Sequence, residues 1–258
     1  MKIYVCVKHV PDTAASITVN SQTTIDTSML KFVVNPYDEY AIEEAVSLVE
    51  KKGSGEVILV CIGPEKAAAS LLSGLAAGAD RGILVVTELP FPGSAATAKA
   101  LQAAIEQDGR PDLVFAGKTA VDSEGNQTLY RLAANMDLPV ASDVSSLDIA
   151  GGTAVAERDI GGNALQVIEM DLPCVIGAAR GLNQPRYPKF PDIMKAKKKK
   201  ITKIPLADLG VDLSIPANNL ESLENAPERA KAEIIQGSSA KACAEQLVHI
   251  LEAKKVLN

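Results

Sequence analysis

The densest run of ligand-capable residues is GKTAVDSEGNQT, Gly117–Thr128. It places small residues, two acids and an Asn-Gln-Thr trio ahead of a helical pattern. Backbone N–H groups at such a helix start can take an anion, because the positive end of the helix dipole faces it. Asn126, Gln127 and Thr128 add neutral groups that bind phosphate and ribose oxygens without a fixed charge. A capped helix start under a polar surface loop is the alternative reading of the same residues. Gly117-Lys118-Thr119 resembles the tail of a P-loop, but the position five before Gly117 is Asp112, so the glycine cradle is missing. The loop after the first apolar run reads KHVPDT and contains no G-x-G-x-x-G. Ordinary P-loop hydrolysis and the common dinucleotide fingerprint are therefore both disfavoured.

The rest of the chain offers little chemistry of its own. Only two histidines occur, His9 and His249, at opposite ends. The four cysteines, Cys6, Cys61, Cys174 and Cys243, are far apart and form no C-x-x-C, so neither a zinc nor an iron–sulfur site is expected and reduced thiols are the default. Aromatics make up 3% of 258 residues, which leaves no stacking platform for single-stranded nucleic acid, and the net charge of −6 argues against a polyanion partner. Any redox or transfer chemistry must come from something the protein holds.

These residues need a frame, and the apolar pattern supplies one. Ile3–Val7, Val57–Ile62, Ile83–Val86, Leu113–Ala116 and Cys174–Ala178 are short, fully apolar runs. Helical stretches alternate with them, over Glu65–Ala77, Ser94–Gln107 and Asn126–Met136, and a further helix opens after Asn35-Pro36-Tyr37-Asp38 with Asp38 as its N-cap. Glu43 and Glu44 fall in its early turns, where they suit the helix dipole. This rhythm predicts an α/β fold: a doubly wound parallel sheet with helices on both faces. Ile17–Val19 and Phe32–Val34 suggest a hairpin excursion. Val144–Ile149, Thr153–Arg158 and Ala164–Met170, separated by Gly-Gly turns, predict an antiparallel excursion. From about Leu206 the period fades until an amphipathic helix at Ala240–Val256. The expected division is an α/β nucleotide-binding domain over 1–205 and a C-terminal arm over 206–258. The N-terminus enters a strand directly, without a leader pattern, and the longest apolar runs fall far short of the roughly 20 residues of a spanning helix. A cytoplasmic protein without membrane insertion is expected.

One basic exception stands out. KAKKKK, Lys195–Lys200, directly follows a proline-stiffened stretch over 180–192 that carries Tyr187 and Phe190. A solvated charge run is the plain reading. An apolar residue on a pre-ordered loop beside lysines is also a protein-docking design, with an anchor and a steering field for an acidic partner. Phe190 as a core residue fits the sequence equally well.

NQPRYPKFPDIMKAKKKKI, Asn183–Ile201, resembles the signature segment of the β subunit of electron-transfer flavoproteins, commonly N-E-P-R-Y-x-x-L-P-x-I-M-K-A-K-K-K. VNPYDEYAIEEAV (Val34–Val46), GADRGI (Gly78–Ile83), GKTAVDSEGNQT and ADLGVDL (Ala207–Leu213) resemble further family segments, so the likeness covers nearly the whole chain. The resemblance implies an electron carrier rather than an enzyme. It implies a heterodimer with an α subunit that holds most of one redox-active FAD, and a structural AMP in the β subunit.

Carried over by position, the AMP site would comprise Cys6, Asn35, Pro36, Tyr37, Asp38, Ile62 and the loop Gly117, Lys118, Thr119, Ala120, Val121, Asp122, Ser123, Glu124, Gly125, Asn126, Gln127, Thr128. The docking residues would be Tyr187, Phe190, Pro191, Ile193, Met194 and Lys195, and Arg158 and Asp159 would face the flavin-bearing domain. Electrons would come from acyl-CoA or other flavoprotein dehydrogenases and pass towards a membrane quinone oxidoreductase. Fatty acid oxidation is the implied setting, and the arm would pack on the α subunit. Phe190 stands where many relatives carry Leu, and Thr13 where some carry an aromatic. The rival within the family is an electron-bifurcating flavoprotein with a second FAD in place of AMP. The intact Asn126-Gln127-Thr128 trio favours AMP.

Overall fold

A computed structural model of the protein describes residues 1–89, 92–211, 220–225, 227 and 231–256. Six strands come first or frame the first helix: β1 (Lys2–Val7), β2 (His9–Pro11), β3 (Val19–Ser21), β4 (Thr24–Ile25), β5 (Phe32–Val34) and, after α1 (Pro36–Lys52), β6 (Glu56–Gly63). Then follow α2 (Ala68–Ala76), β7 (Arg81–Val86), α3 (Gly93–Asp108), β8 (Leu113–Gly117) and α4 (Thr128–Asn135). The second half holds β9 (Val140–Ala150), β10 (Thr153–Asp159), β11 (Leu165–Asp171), β12 (Cys174–Ala178), α5 (Phe190–Ala196), β13 (Ile201–Pro205) and α6 (Ala240–Ala253).

The main sheet has nine strands in the order β11-β10-β9-β12-β8-β1-β6-β7-β13. Every pairing from β9 through β12, β8, β1, β6 and β7 to β13 is parallel, and β9-β10-β11 is the antiparallel excursion. Successive strand residues point to opposite faces. Ile3, Val5, Val57, Leu59 and Cys61 pack on one side with Ala41, Ile42 and Ala45 of α1 and Leu71 and Leu75 of α2. Tyr4, Cys6, Ile58 and Val60 pack on the other with Leu101 and Ile105 of α3 and Leu129 and Leu132 of α4. Both faces are buried, which is why the strands read as unbroken apolar runs, and the fold is the expected doubly wound α/β. Strand order reverses between β1 and β8, and that switch point is where such sheets open a crevice for ligands.

Several local expectations change. Phe32–Val34 pairs with His9–Pro11, not with the segment near Val19, which forms its own small hairpin with Thr24–Ile25. The second helix is preceded by a separate 3-10 turn over Glu65–Ala67. The helix after the long loop starts at Thr128 rather than Asn126, because Asn126 takes a left-handed backbone at φ 50°. A strand that the lysine run conceals, Ile201–Pro205, pairs with β7 and closes that edge of the sheet. The expected C-terminal helix is present as α6, with none of its residues buried, and ends at Ala253. Asp212 and Leu213 of the ADLGVDL segment, and residues 214–219, 226, 228–230 and 257–258 of the arm, lie outside the described residues. Among the described residues no helix is long and apolar enough to cross a membrane.

Candidate functional site

The loops leaving β1, β5 and β8 converge at the switch point, and the side chains of Asn35 and Asp38, at the start of α1, bind them together. Pro36 occupies the first turn of α1, where its missing N–H costs nothing. Asn35 is therefore the N-cap and Asp38 lies inside the first turn, which corrects the expectation that Asp38 caps the helix. Asp38 is buried. Its Oδ2 accepts the Lys8 backbone N–H at 2.7 Å, and its Oδ1 accepts the Gly117 N–H and the Asn35 Nδ2, both at 2.9 Å. Burial pushes the Asp38 carboxyl up to about 7, against the pull of those three donors.

Asn35 is equally committed. Its Nδ2 also donates to the Thr119 carbonyl at 2.9 Å, and its Oδ1 accepts the Val121 N–H at 3.1 Å. Gly117 fits only because it lacks a side chain: a Cβ there would meet Asp38 Oδ1 and lie 2.6 Å from Tyr37 Cβ. Lys8 Nζ reaches Asp122 Oδ1 at 2.7 Å and Ser123 Oγ at 3.2 Å, clasping the middle of the loop. Lys118 pairs with Asp143 at 2.7 Å and lies over the Tyr37 ring at 5.5 Å. Lys8 and Asp143 were not among the expected site residues; a lone lysine and a lone aspartate carry no local signal of such pairings.

Beyond these ties the crevice keeps unspent polar groups. Thr119 Oγ1 is buried and has no hydrogen-bond partner among the described residues. Gln127 forms no side-chain cap on α4, although its Oε1 accepts Arg131 Nη2 at 3.0 Å, and Glu124 and Asn126 adopt left-handed backbone at φ 47° and 50°, with Gly125 between them in open space. Cys6 and Ile62 lie near the carboxyl ends of β1 and β6, in register with Ala116 and Val85. The Cys6 thiol is buried among apolar neighbours, and its pKa is driven far upward chiefly by that burial. The structure thus brings Asn35 and Asp38 together with Gly117–Ser123 at the carboxyl end of the sheet, whereas Asn126, Gln127 and Thr128 make no contact with Asn35 or Asp38 among the hydrogen bonds of the described residues.

The second expected surface lies apart, over α1 and α2. Tyr187 is 95% exposed and Phe190 75% exposed, so Phe190 is not a core residue. Ile193 and Met194 are exposed beside it, as are Pro191 and Lys195, on a helix where the proline spacing suggests an irregular stretch. Lys199 is an exception within the lysine run. Its Nζ donates to the Leu75 and Ala79 carbonyls at 3.0 and 2.6 Å, filling acceptors at and just beyond the end of α2. Arg158 and Asp159 lie at the end of β10, with Arg158 in register with Val144 of β9, which pairs in turn with Ala178 of β12. Arg158 Nε donates to Gln166 Oε1 at 2.8 Å, Asp159 accepts the Gly161 N–H, and Ile160, Leu165 and Val167 are exposed alongside.

The sequence profile of the electron transfer flavoprotein domain matches residues 22–209. The chain is 35% identical over 258 residues to electron transfer flavoprotein subunit beta of Bacillus subtilis, covering 98% of each chain. It is 40% identical over 235 residues to the Homo sapiens protein of the same name, covering 89% of this chain and 90% of that one. The mitochondrial protein of that name from Arabidopsis thaliana is 40% identical over 241 residues, covering 92% and 94%. With a profile match over most of the chain and near full-length identity at this level, the chain belongs to the electron transfer flavoprotein family, among its β subunits.

Proposed function

We propose that this subunit binds AMP in the switch-point crevice, completes the FAD site of an α subunit and docks flavoprotein dehydrogenases through Tyr187–Lys195. As an electron transfer flavoprotein β subunit it has an α subunit as its partner and an electron-carrying role. The observation that carries the AMP reading is the spare bonding capacity of the Gly117–Thr128 loop. Among the described residues Thr119 Oγ1 lacks a partner, and the first turn of α4 has no cap from Gln127, so the loop offers a phosphate a hydroxyl at one end and the positive end of a helix at the other. The residues present therefore fit a mononucleotide, and Asn35 and Asp38 hold the loop in shape by bonds to its backbone.

FAD, when bound at the subunit junction, supplies the redox-active ring. This chain's residues shape and orient. Arg158 and Asp159, beside the exposed Ile160, Leu165 and Val167, form the edge we assign to the flavin-bearing partner. The arm beyond Leu206 ends in a helix with no buried residue, which suits packing on another subunit. Donors are acyl-CoA or related flavoprotein dehydrogenases, and electrons leave towards a quinone oxidoreductase. No side chain of this subunit performs a covalent step. Mass spectrometry of nucleotide released from the purified αβ complex tests the reading: one AMP and one FAD per heterodimer is the expected result. Two FAD and no AMP would replace it with the bifurcating alternative.

A further inference from the structure

We infer that Arg186 is a positioning residue for the docking surface: clamped by Glu43 and Glu50 of α1, it holds the exposed Tyr187–Met194 segment in the shape a dehydrogenase meets. The inference rests on the docking reading above.

The contacts are unusually complete for a surface loop. Arg186 Nε and Nη2 donate to Glu43 Oε2 and Oε1 at 2.8 and 2.9 Å. Its Nη1 and Nη2 donate to Glu50 Oε1 and Oε2 at 2.7 and 2.9 Å. The Arg186 backbone N–H also donates to Glu43 Oε2, at 3.0 Å, so Glu43 grips both the side chain and the main chain. Glu43 and Glu50 are two helical turns apart and project from one face of α1. Ser47, between them, donates to Glu43 Oε1 at 3.0 Å. Three residues before Arg186, Asn183 Nδ2 donates to the Tyr40 carbonyl and to Glu44 Oε2 at 3.0 and 2.9 Å. Burial alone would raise the Glu43 carboxyl, but the donors from Arg186 and Ser47 outweigh it and hold it below the usual range.

Single exposed ion pairs contribute little, but a planar guanidinium forked onto two carboxylates fixes orientation as well as charge. The residue it precedes, Tyr187, is almost fully exposed, and Phe190, Ile193 and Met194 follow. An apolar segment left free would collapse or wander, and ordering it at each encounter would cost binding free energy. Anchoring it in advance to α1, whose interior face is packed in the core, removes much of that cost. Arg186 should therefore act on encounter with the donor and not on electron transfer once docked.

The test uses the assembled αβ heterodimer, reduced by an acyl-CoA dehydrogenase chosen because it reduces the wild type. Arg186→Gln should raise the dehydrogenase's KM for the heterodimer roughly tenfold, with kcat and flavin content little changed. Arg186→Lys should recover only part of this, since an ammonium cannot fork onto two carboxylates. Amide hydrogen exchange over Tyr187–Met194 should quicken in both. In a Phe190→Ala background, Arg186→Gln should add far less than tenfold, because the anchor it presents is gone. An unchanged KM in Arg186→Gln, alongside a raised KM in Phe190→Ala, overturns the positioning role and leaves docking intact. If both variants keep the wild-type KM, docking itself fails and the inference falls with it. Should Arg186→Gln not assemble, Glu50→Gln removes half the clamp at a surface position. A rise of roughly two- to threefold is then expected, and unchanged KM and exchange overturn the role.

Discussion

Asp38 accepts the backbone N–H of Gly117 at 2.9 Å although the two are 79 residues apart in sequence. This bond joins the first turn of α1 to the end of β8, across the point where strand order reverses. Gly117→Ala drives a methyl group into Asp38 Oδ1 and Tyr37 Cβ, and should destabilise the subunit by about 1–3 kcal/mol while loosening the Gly117–Thr128 loop. Asp38→Ala leaves the Lys8 and Gly117 N–H groups unpaired in a buried setting, and should cost about 2–4 kcal/mol. Urea unfolding and nucleotide content of the purified complex check both.

Phe190→Ala should slow reduction by the dehydrogenase while FAD content stays at the wild-type level. Phe190 is exposed and packs in neither core cluster, so the melting temperature should move little. Unchanged steady-state rates would remove its anchor role.

Deleting Ala240–Asn258 should weaken association with the α subunit without unfolding the α/β sheet. None of the residues of α6 is buried within this chain, so the sheet loses no core contact with it. Sedimentation or size-exclusion analysis of the truncated pair gives the answer; a heterodimer as tight as the intact one contradicts the arm assignment.

Acid stability should depend on Arg81. Its guanidinium holds Glu56 and Asp108 with contacts of 2.7–3.2 Å. Arg81 is the main cause of the lowered Glu56 carboxyl. For Asp108, burial pushes upward, but Arg81, Tyr4 and Lys2 outweigh it and hold it well below its usual range. Both groups bind fewer protons folded than unfolded, so their stabilisation is complete above the ordinary values of 4.5 and 3.8 and is lost as pH falls through the lower folded ones. Arg81→Gln should therefore flatten the fall in stability between roughly pH 5 and pH 2. Urea titrations across that range measure the slope, and an unaltered slope would count against the assignment.

The central sheet was legible because its strands are buried on both faces and so appear as continuous apolar runs between helical stretches. The stretch over Tyr187–Met194 stands out in the sequence through its proline spacing and its aromatics, and those aromatics are exposed. What escaped were features whose partners are distant in the chain. Glu43 and Glu44 suit a helix dipole when read locally, yet they hold Arg186 and Asn183, about 140 residues further on. Asp38 looks like a cap, but its ligands are Lys8 and Gly117. Lys199 looks like one more solvated charge until the end of α2 is placed beside it. Ile201–Pro205 is short and adjoins five lysines, so only its pairing with β7 identifies it as a strand.

The segment that carries Tyr187 and Phe190 connects β12 to β13, and four strands, β8, β1, β6 and β7, lie between them in the sheet. It is thus a span hung between two abutments, with Arg186 and Lys199 as piers along the way. Its length is dictated by the breadth of the sheet beneath it. Lengthening or shortening this segment would shift either the register of the edge strand or the height of the apolar surface, so loop length and the placement of Tyr187 and Phe190 are mechanically bound to each other.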